Sequence, residues 1–268
     1  MKPRASRHLM MNKPKIVLLD IENSHNIVAS FQLFNQTPLP HTNILQERFI
    51  ICAAWKYLGE TKIHSISPLS KNNPNRHDIR DDLYVTSELL KVMGSADIII
   101  AHNGDKHDVP IIRARAVFHK LAPLPPLKTI DTLKIARKYF NLNSRRLDYL
   151  GAYFGLGRKL HVGNELWLDV LQGKKSAVRA MAKYNMRDVE LLEQVYERLA
   201  PYHEARPNAG LITGQLDTCP SPTCGAVGTL QKRGYSYTRT SQKQRYVCTA
   251  CGAWSSGPAR QVPGIDIR

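Results

Sequence analysis

The sequence lacks the features of a membrane or secreted protein. It contains no run of about 18 apolar residues, so we predict no membrane-spanning helix. The N-terminal MKPRASRHLMMNKPK is basic and polar, without the apolar middle of a signal peptide. We therefore expect no membrane partner and a cytoplasmic location in a bacterium or a phage-infected cell, with association with the nucleoid as a further expectation. Residues 1–13 are predicted to form a disordered basic arm.

Cysteine is scarce, with five residues in 268. Thiols stay reduced in the cytosol, so these five are not expected to form a disulfide framework and are better suited to be metal ligands or core residues. Four of them lie close to the C-terminus. The fifth, Cys52, lies in the apolar run FIICAAW and is predicted to be a small buried hydrophobic residue.

Acidic residues are outnumbered by basic ones, 22 against 38, which gives a formal net charge of +16 and a pI of about 9.8. This balance favours a polyanionic partner, because Lys and Arg contact phosphates and release their counterions. Nucleic acid is the leading prediction. The alternative is that the cations only keep the protein soluble.

The order of predicted elements indicates an α/β fold. Short apolar runs predict strands at 15–20, 96–102 and 127–132, and two strands turning at Gly59 and Glu60 over 48–67. The segment 21–47 is predicted to be a loop. Helices are predicted over 82–94, after Asp108, from 133 to about 141, over 145–155 and over about 174–199. Hairpin strands followed by strands alternating with helices suggest a mixed sheet flanked by helices.

The composition changes after Pro201 to Pro, Gly, Thr and Ser with few apolar runs. We place a domain boundary near 205–215. The predicted organisation is an α/β domain over 14–204, a small second domain over 212–256 and a flexible tail over 257–268.

Asp20 and Glu22 end the first predicted strand as the sequence D-I-E. Side chains two apart on a strand point to the same face, so both carboxylates are predicted to project from one side at the end of the strand, where open α/β sheets bind ligands. The alternative for this motif alone is a solvated turn.

A second acidic element is AHNGDKHDVPII, in which a buried strand leads to a polar loop and a helix start. We prefer Asp108 over Asp105, because the following Pro110 fits the first turn of a helix that would fix the direction of Asp108. Asp105 is predicted to lie in the loop. The alternative for Asp108 is a simple N-cap.

The third element is YNMRDVELL in the last helix, where Tyr184 and Asp188 are four residues apart and share one face. Asp188 lies near the apolar side of the helix, where an unpaired carboxylate is energetically costly. The alternative is a Tyr and Asp pair on the solvated face. Together, the four carboxylates suit two hard divalent cations, Mg²⁺ or Mn²⁺, that would assist phosphodiester cleavage.

These three motifs resemble those of the DEDD exonuclease superfamily, in the subclass with Tyr before the last Asp, which includes the proofreading domains of DNA polymerases. D-I-E, N-G-x-x-x-D-x-P and Y-x-x-x-D match its three motifs over about 14–200, and DTLKIARKYF and RRLDYLGAYFGL resemble its intervening segment. The resemblance implies an RNase H-like fold and 3′→5′ exonuclease activity.

Carried over by residue, the resemblance implies that Asp20, Glu22, Asp108 and Asp188 hold the two metal ions and that Tyr184 positions the attacking water. Asn103 would contact the terminal nucleotide. His107 is a further candidate substrate contact, and it departs from the family, which usually has an aromatic residue at this position. Additional substrate contacts are expected from nearby basic side chains, namely Arg145, Arg146 and Arg187.

The expected substrate is single-stranded DNA with a free 3′ end, in replication or repair, and a DNA polymerase or another replication protein is a further expected partner. Three alternatives stay open. One is a nuclease fold that only binds nucleic acid or docks onto a polymerase. The second is a ribonuclease on the same scaffold, and the third is an endonuclease with a similar carboxylate cluster.

The C-terminal cysteines form two knuckles, CPSPTCG with Cys219 and Cys224, and CTACG with Cys248 and Cys251. Four thiolates at these spacings predict one closed tetrahedral structural Zn²⁺ site. The glycine after each second cysteine permits a tight turn that points backbone N–H groups at the sulfurs. The segment resembles a zinc ribbon, and the alternatives are an iron–sulfur cluster or free thiols.

The arm between the knuckles carries cations interleaved with tyrosines. Such a pattern is typical of surfaces that contact phosphates and stack bases, although a β hairpin with solvated cations has a similar composition. The candidate substrate-binding residues on this arm are Lys232, Arg233, Tyr235, Tyr237 and Arg239, and the same pattern includes Lys243, Arg245 and Tyr246.

Overall fold

The computed structural model describes residues 14–31, 38–157, 163–203, 207–215 and 217–261. The chain divides into two compact units, one of Ile16–Leu199 and one that begins at Ala200. The arm predicted over 1–13 lies outside the described residues. Within those residues, no helix is both long and apolar enough to cross a membrane.

The first unit contains a five-stranded mixed sheet in the order β5-β4-β1-β6-β7. β1 pairs antiparallel with β4 and parallel with β6; β4 and β5 are antiparallel, and β6 and β7 are parallel. The predicted mixed α/β sheet is confirmed. The strand bounds are β1 (Ile16–Asn23), β2 (Ile27–Val28), β3 (Ile44–Gln46), β4 (Ile50–Tyr57), β5 (Ile63–Ile66), β6 (Ile98–Ala101) and β7 (Thr129–Asp131).

In the part of this unit that the structure describes, six helices flank the sheet, and apolar side chains of both of its faces are buried. Because side chains alternate along a strand, Val17, Leu19 and Ile21 of β1 pack in one core cluster with residues of α1 and α2. The opposite face carries Leu18, Asp20 and Glu22 toward the last helix. The helix bounds are α1 (Leu83–Gly94), α2 (Asp108–Phe118), α3 (Thr132–Tyr139), α4 (Leu147–Tyr153), α5 (Glu165–Leu171) and α6 (Lys175–Leu199).

The structure corrects the prediction that 21–47 is a loop throughout. β1 continues to Asn23, and β2 and β3 form a small antiparallel pair that follows it. These strands carry no clear signal in the sequence because they are only two and three residues long. The predicted turn between β4 and β5 is confirmed, with Gly59 in the left-handed region at φ +84°.

The second unit contains a short helix, α7 (Ala209–Thr213), and a three-stranded antiparallel sheet in the order β10-β9-β8. Its strands are β8 (Leu230–Tyr237), β9 (Ser241–Cys248) and β10 (Trp254–Gln261). We expected a flexible tail from residue 257, but residues 257–261 belong to β10. The strand tolerates Pro258 because it lies at the edge of the sheet, in an irregularity between Ser256 and Ala259 where the ladder is interrupted. Residues 262–268 lie outside the described part of the chain.

Candidate functional site

Three carboxylates converge where β1 meets α6. Asp20, Glu22 and Asp188 each offer an oxygen, and these oxygens lie within 4.8 Å of one another. Asp188 is fully buried, whereas Asp20 and Glu22 are partly buried. Three negative groups at this distance repel one another strongly unless cations or protons lie among them. This arrangement therefore has the charge and the oxygen donors of a divalent cation site.

Strand and helix periodicity together explain this convergence. Asp20 and Glu22 are two apart on β1, and α6 packs on the face to which both point. Asn185, one turn before Asp188 on α6, is also fully buried. Its Nδ2 donates a hydrogen bond of 2.6 Å to Oδ2 of Asp20. Sequence analysis missed Asn185, because an asparagine within a helix carries no signal of its own.

Asp108 approaches the same strand from α2, on which it is the first helical residue. Its side chain is buried, and Oδ1 accepts a 3.0 Å hydrogen bond from the backbone N–H of Ile21, between the two acids of β1. Asp108 does not belong to the group of oxygens within 4.8 Å of one another that the described residues form. Asp108 therefore lies next to the three-carboxylate cluster, and its hydrogen bond holds it to β1, the strand that carries Asp20 and Glu22.

Asp105, the acid that competed with Asp108 in the sequence, pairs instead with Lys134 through a 2.6 Å contact. The chain turns tightly just before Asp105. A Cβ on Gly104 would lie 2.3 Å from Cβ of Ala101, so only glycine fits at this position. This close approach brings the start of α2, and with it Asp108, back against the sheet.

Tyr184 lies one turn before Asp188 on α6 and is half-buried. Its ring meets the ring of Trp167 edge-on, with centroids 6.4 Å apart. Nε1 of Trp167 donates to the backbone carbonyl of Asn23 at 3.2 Å, which anchors the indole to the end of β1. Trp167 belongs to α5, a helix that sequence analysis did not predict. Its contacts make it a positioning residue for Tyr184.

Cys52 lies opposite Glu22 in the register of β1 and β4 and is fully buried, as predicted. Burial raises the pKa of its thiol well above the ordinary value, and the charges of Glu22 and Asp20 raise that pKa further. The thiol is therefore neutral near pH 7. A neutral buried thiol is not suited to nucleophilic chemistry.

A basic cleft of about 550 Å³ lies beside the start of α2. Four of the predicted substrate contacts line it, together with residues that the prediction did not include, such as His102 and Arg137. Burial, followed by the charge of Arg48, lowers the pKa of His107, so its ring is neutral near pH 7. The four predicted residues are Asn103, His107, Arg145 and Arg146.

Two of the predicted substrate contacts in this unit have particular local geometry. Asn103 takes a left-handed backbone conformation at φ +65°, and its N–H donates to Oδ1 of Asp131 at 2.9 Å. This bond holds the polar loop against the start of α3. Arg187 forms an ion pair with Glu190 on the surface of α6 and does not line the basic cleft formed by the described residues.

The second cluster consists of the four C-terminal cysteines, whose sulfur atoms lie within 4.8 Å of one another. Sγ of Cys219 lies 3.7 Å from Sγ of Cys251, and Sγ of Cys224 lies 3.8 Å from Sγ of Cys248. A tetrahedral ion with bonds of about 2.3 Å to sulfur requires sulfur–sulfur separations of about 3.8 Å. The cysteines therefore have the spacing of a closed four-sulfur site.

Hydrogen bonds from the knuckles reach the sulfurs. Burial opposes ionisation of Cys248, but the hydroxyl of Thr229 and the backbone N–H groups of residues 250 and 251 lower its pKa to about 6. Burial raises the pKa of Cys219 and of Cys251. The glycines after Cys224 and Cys251 have φ of +60° and +72°, as the tight turns require.

The cations and tyrosines between the knuckles are divided between the two faces of the sheet. Lys232 lies opposite Tyr246, so both point to the same face, which Tyr235 and Tyr237 share. Lys243 and Arg245 alternate with Tyr246 on β9 and point to the other face. Arg233 adjoins an irregularity of β8, and Arg239 lies in the turn between β8 and β9.

Comparison with known proteins agrees with this architecture. No curated protein matches the sequence. The family B DNA polymerase of the hyperthermophilic archaeon Pyrobaculum calidifontis is similar in structure, with a TM-score of 0.52 and 16% identity over 85% of this chain. The match covers 31% of the polymerase chain, so this protein spans less than a third of its length. At this identity the likeness shows the fold alone.

A family model described as the RNase H superfamily matches residues 45–200, which is 156 of the 268 residues. The matched segment begins after Asp20 and Glu22 and includes Asp108, Tyr184 and Asp188. It therefore covers more than half of the chain and most of the α/β unit, including the helix that carries the buried carboxylate. On this evidence the chain belongs to the RNase H superfamily.

Proposed function

We propose that this protein is a 3′→5′ exonuclease that hydrolyses single-stranded DNA with two divalent cations. The observation that carries the proposal is the convergence of Asp20, Glu22 and Asp188 within 4.8 Å, with Tyr184 one helical turn away. The resemblance of the three sequence motifs to proofreading exonucleases supports the direction of cleavage and the preference for DNA over RNA.

The donor set fits Mg²⁺ or Mn²⁺. All its members are carboxylates, the hard oxygen ligands that these ions prefer, and the chemistry of soft metals would require thiolate or imidazole donors. In our proposal Asp20, Glu22, Asp108 and Asp188 hold the two ions. When bound, such ions activate a water molecule and neutralise the charge that develops on the phosphate.

The chain's own residues would orient the reactants. Asn185 fixes the rotamer of Asp20 through its 2.6 Å hydrogen bond. Tyr184, held by Trp167, would direct its hydroxyl at the attacking water. The cleft with Arg145 and Arg146 has the charge to receive the phosphates of a strand whose 3′ end lies at the carboxylates.

The C-terminal site is proposed to hold one structural Zn²⁺. Its four sulfurs have the separations of a tetrahedral ion, and the backbone N–H groups of the knuckles stabilise thiolates. Few apolar residues of this unit are fully buried, so the metal would supply much of its folding free energy. In our proposal the unit assists binding of the substrate or of a replication partner such as a DNA polymerase.

The test uses one oligonucleotide labelled at either end, incubated with Mg²⁺ or Mn²⁺. A 3′→5′ exonuclease releases the 3′ label at once as a mononucleotide and shortens the 5′-labelled strand in single-nucleotide steps. Intact strands with both metals and at several pH values would show that the protein does not cleave such strands.

Two further substrates separate the alternatives. A circular single strand resists an exonuclease but is cut by an endonuclease. An RNA strand of the same sequence distinguishes a ribonuclease by its relative rate. The variant Asp20→Ala with Asp188→Ala addresses the pure binding module, because a protein that only binds nucleic acid would behave like wild type in the presence of metal.

A further inference from the structure

The exposed face of the C-terminal sheet that carries three tyrosines differs from its opposite face in chemistry. We name it the tyrosine face and define it by Lys232, Tyr235, Tyr237, Tyr246 and Arg260. Tyr237 and Tyr235 are 71% and 46% exposed, although exposing an aromatic ring to water normally costs free energy. Their centroids are 6.4 Å apart, so they form a contiguous patch.

A bulge in β8 assembles this face. Lys232 and Tyr235 are three residues apart, and strict alternation would place them on opposite sides of the sheet. The register shifts between them, so that Lys232 lies opposite Tyr246 and Tyr235 lies opposite Gln244. Gly234 permits the shift with φ of +63°, a conformation typical of the glycine in such bulges. The tyrosines are therefore brought to the same face as Lys232.

The third strand adds a cation that sequence analysis did not identify. Tyr237 pairs with Gln242, and Gln242 pairs with Arg260 of β10, so the three side chains form one row across the sheet. Lys232, Tyr246 and Ser255 form a second row in the same way. A cation thus lies at one end of each row, on opposite edges of the face.

The charge of the segment indicates the class of partner. Residues 229–261 contain six Lys and Arg and no Asp or Glu, a formal charge of +6 without an internal counter-charge. A polyanion is therefore favoured as the partner over a protein surface that is neutral or has no acidic patch. Among polyanions, nucleic acid also has aromatic bases, and these bases can stack on exposed tyrosine rings.

The opposite face is a poorer platform. Its aromatic residue, Trp254, has the guanidinium of Arg245 over its ring at 5.4 Å from the centroid, so this cation and this ring already contact each other. On the tyrosine face, by contrast, a groove of about 840 Å³ continues the surface beyond Leu230, Tyr246 and Ser255. An unstacked base can enter a groove of this size beside the ring of Tyr246.

We infer that the tyrosine face binds single-stranded nucleic acid, with bases stacked on Tyr235, Tyr237 and Tyr246 and phosphates at Lys232 and Arg260. This inference rests on the part of the proposed function that gives the C-terminal unit a role in binding, and it deepens that part by naming the face and the class of ligand. The binding itself requires no cleavage. A strand held there would stay near the protein between cleavage events, since a second contact raises its effective concentration.

The test measures binding of fluorescent oligothymidylate and oligouridylate to the full-length, zinc-loaded chain carrying Asp20→Asn and Asp188→Asn, so that strands remain whole. Tyr235→Ala with Tyr237→Ala should raise Kd roughly 10-fold or more, whereas Tyr235→Phe with Tyr237→Phe should retain binding because the rings remain. Neither pair should change the affinity for heparin, which has negative charge but no bases.

Charge-matched pairs supply the control. Lys232→Ala with Arg260→Ala should weaken binding and reduce the slope of log Kd against log salt by about 0.7 per cation removed. Lys243→Ala with Arg245→Ala removes the same charge from the opposite face and should have the smaller effect. A photo-crosslinking strand should attach to the peptides of Tyr235, Tyr237 and Tyr246, which separates this surface from the cleft of the α/β unit.

Three results would overturn the inference. The first is an equal loss of affinity in the two charge-matched pairs, and the second is an unchanged Kd with unchanged crosslinks in the Tyr→Ala pair. The third is that the parent protein does not bind the strands at low salt, which would indicate that the face binds a protein partner instead. Zinc content is measured for each variant. If the double Tyr→Ala variant loses zinc, the single change Tyr237→Ala at the most exposed ring is used with the same criteria.

Discussion

The two clusters of potential metal ligands that the described residues form are built in opposite ways. The carboxylates of the α/β unit come from β1 and α6, 166 residues apart in the case of Glu22 and Asp188, and a fully formed core brings them together. The four cysteines come from two local knuckles between residues 219 and 251. Among the described residues of the C-terminal unit, the buried hydrophobic ones are Ala200, Ala209, Cys219, Cys248 and Ala253.

This difference predicts opposite dependences on metal. In the α/β unit the apolar core supplies the folding free energy, so the carboxylates are held near one another at an electrostatic cost before any cation arrives. In the C-terminal unit most of the folding free energy would come from the ion itself. Removing metal should therefore inactivate the first unit without unfolding it, and unfold the second.

The largest expected effect is the loss of the C-terminal fold in Cys248→Ser. Apparent binding free energies of structural zinc are about 10 kcal/mol or more, far above what the few buried side chains of this unit can replace. Limited proteolysis should cut the variant within 217–261 and leave the α/β unit resistant. At saturating concentrations of a short strand, cleavage should continue nearly unchanged. A protease-resistant C-terminal unit in the variant would contradict the claim that this unit depends on its metal ion for folding.

Thiol titration extends this prediction to wild type. With zinc bound, the native protein should react slowly with a thiol reagent, and a strong chelator should expose four thiols. The fifth, Cys52, should react only after denaturation, because burial and the neighbouring carboxylates raise its pKa and keep it protonated. Five reactive thiols after chelation alone would mean that the two units unfold together.

Asp188→Asn should have the next largest effect. It removes one charge from the carboxylate cluster with little change of shape, so activity should fall roughly 10³-fold, or about 4 kcal/mol of transition-state stabilisation. The melting temperature should be unchanged or higher, because the repulsion among the carboxylates decreases. The measurements are the initial rate on a 3′-labelled strand and calorimetry.

The matched control for this variant is Asp105→Asn. Asp105 lies in the loop before α2 and pairs with Lys134 near the surface, so its loss should leave the rate close to that of wild type. Equal losses of activity in the two variants would show that any acid in this region supports the reaction, and that the cluster has no special role.

Asn185→Ala should have an intermediate effect. The amide fixes Asp20, and loss of such a supporting hydrogen bond typically weakens metal affinity about 10-fold to 100-fold. The Mg²⁺ concentration for half-maximal activity should rise by that factor, while the rate at saturating Mg²⁺ should change less. If the rate falls but the Mg²⁺ dependence is unchanged, Asn185 acts on the substrate instead of on Asp20.

Trp167 offers the smallest effect and tests positioning. Trp167→Ala removes the edge contact with Tyr184 and should lower kcat about 10-fold, because the hydroxyl of Tyr184 loses its orientation. Trp167→Phe retains an aromatic partner and should recover part of that loss. The Mg²⁺ concentration for half-maximal activity should stay at the wild-type value in both variants, in contrast to Asn185→Ala. If that concentration rises together with the loss of kcat, the change has damaged the site in general.

Much of the α/β unit was predictable from periodicity. The apolar run KIVLLD and the shared helical face of Tyr184 and Asp188 indicated a mixed sheet with helices, and the family match confirms this fold class. The sequence could not predict the contacts of Asn185 and Trp167, because both depend on how α5 and α6 meet β1. Such tertiary contacts leave no periodic signal in either segment.

The C-terminal sheet was less predictable for a different reason. The bulge at Gly234 changes which side chains share a face, and strict alternation therefore misassigns the tyrosines relative to Lys232. Gly257 and Pro258 suggested a loose tail, yet they occupy an irregularity within β10. In both strands, a residue that usually ends regular structure allows the strand to continue.

The most direct test of the account is anomalous diffraction from crystals grown with Mn²⁺, recorded at wavelengths that distinguish manganese from zinc. Two manganese peaks should lie among Asp20, Glu22, Asp108 and Asp188, and one zinc peak should lie among the four cysteines. The claim that this cluster is the active site would be contradicted by manganese peaks elsewhere. It would also be contradicted if no peak lies at the carboxylates of a protein that still degrades DNA from its 3′ end.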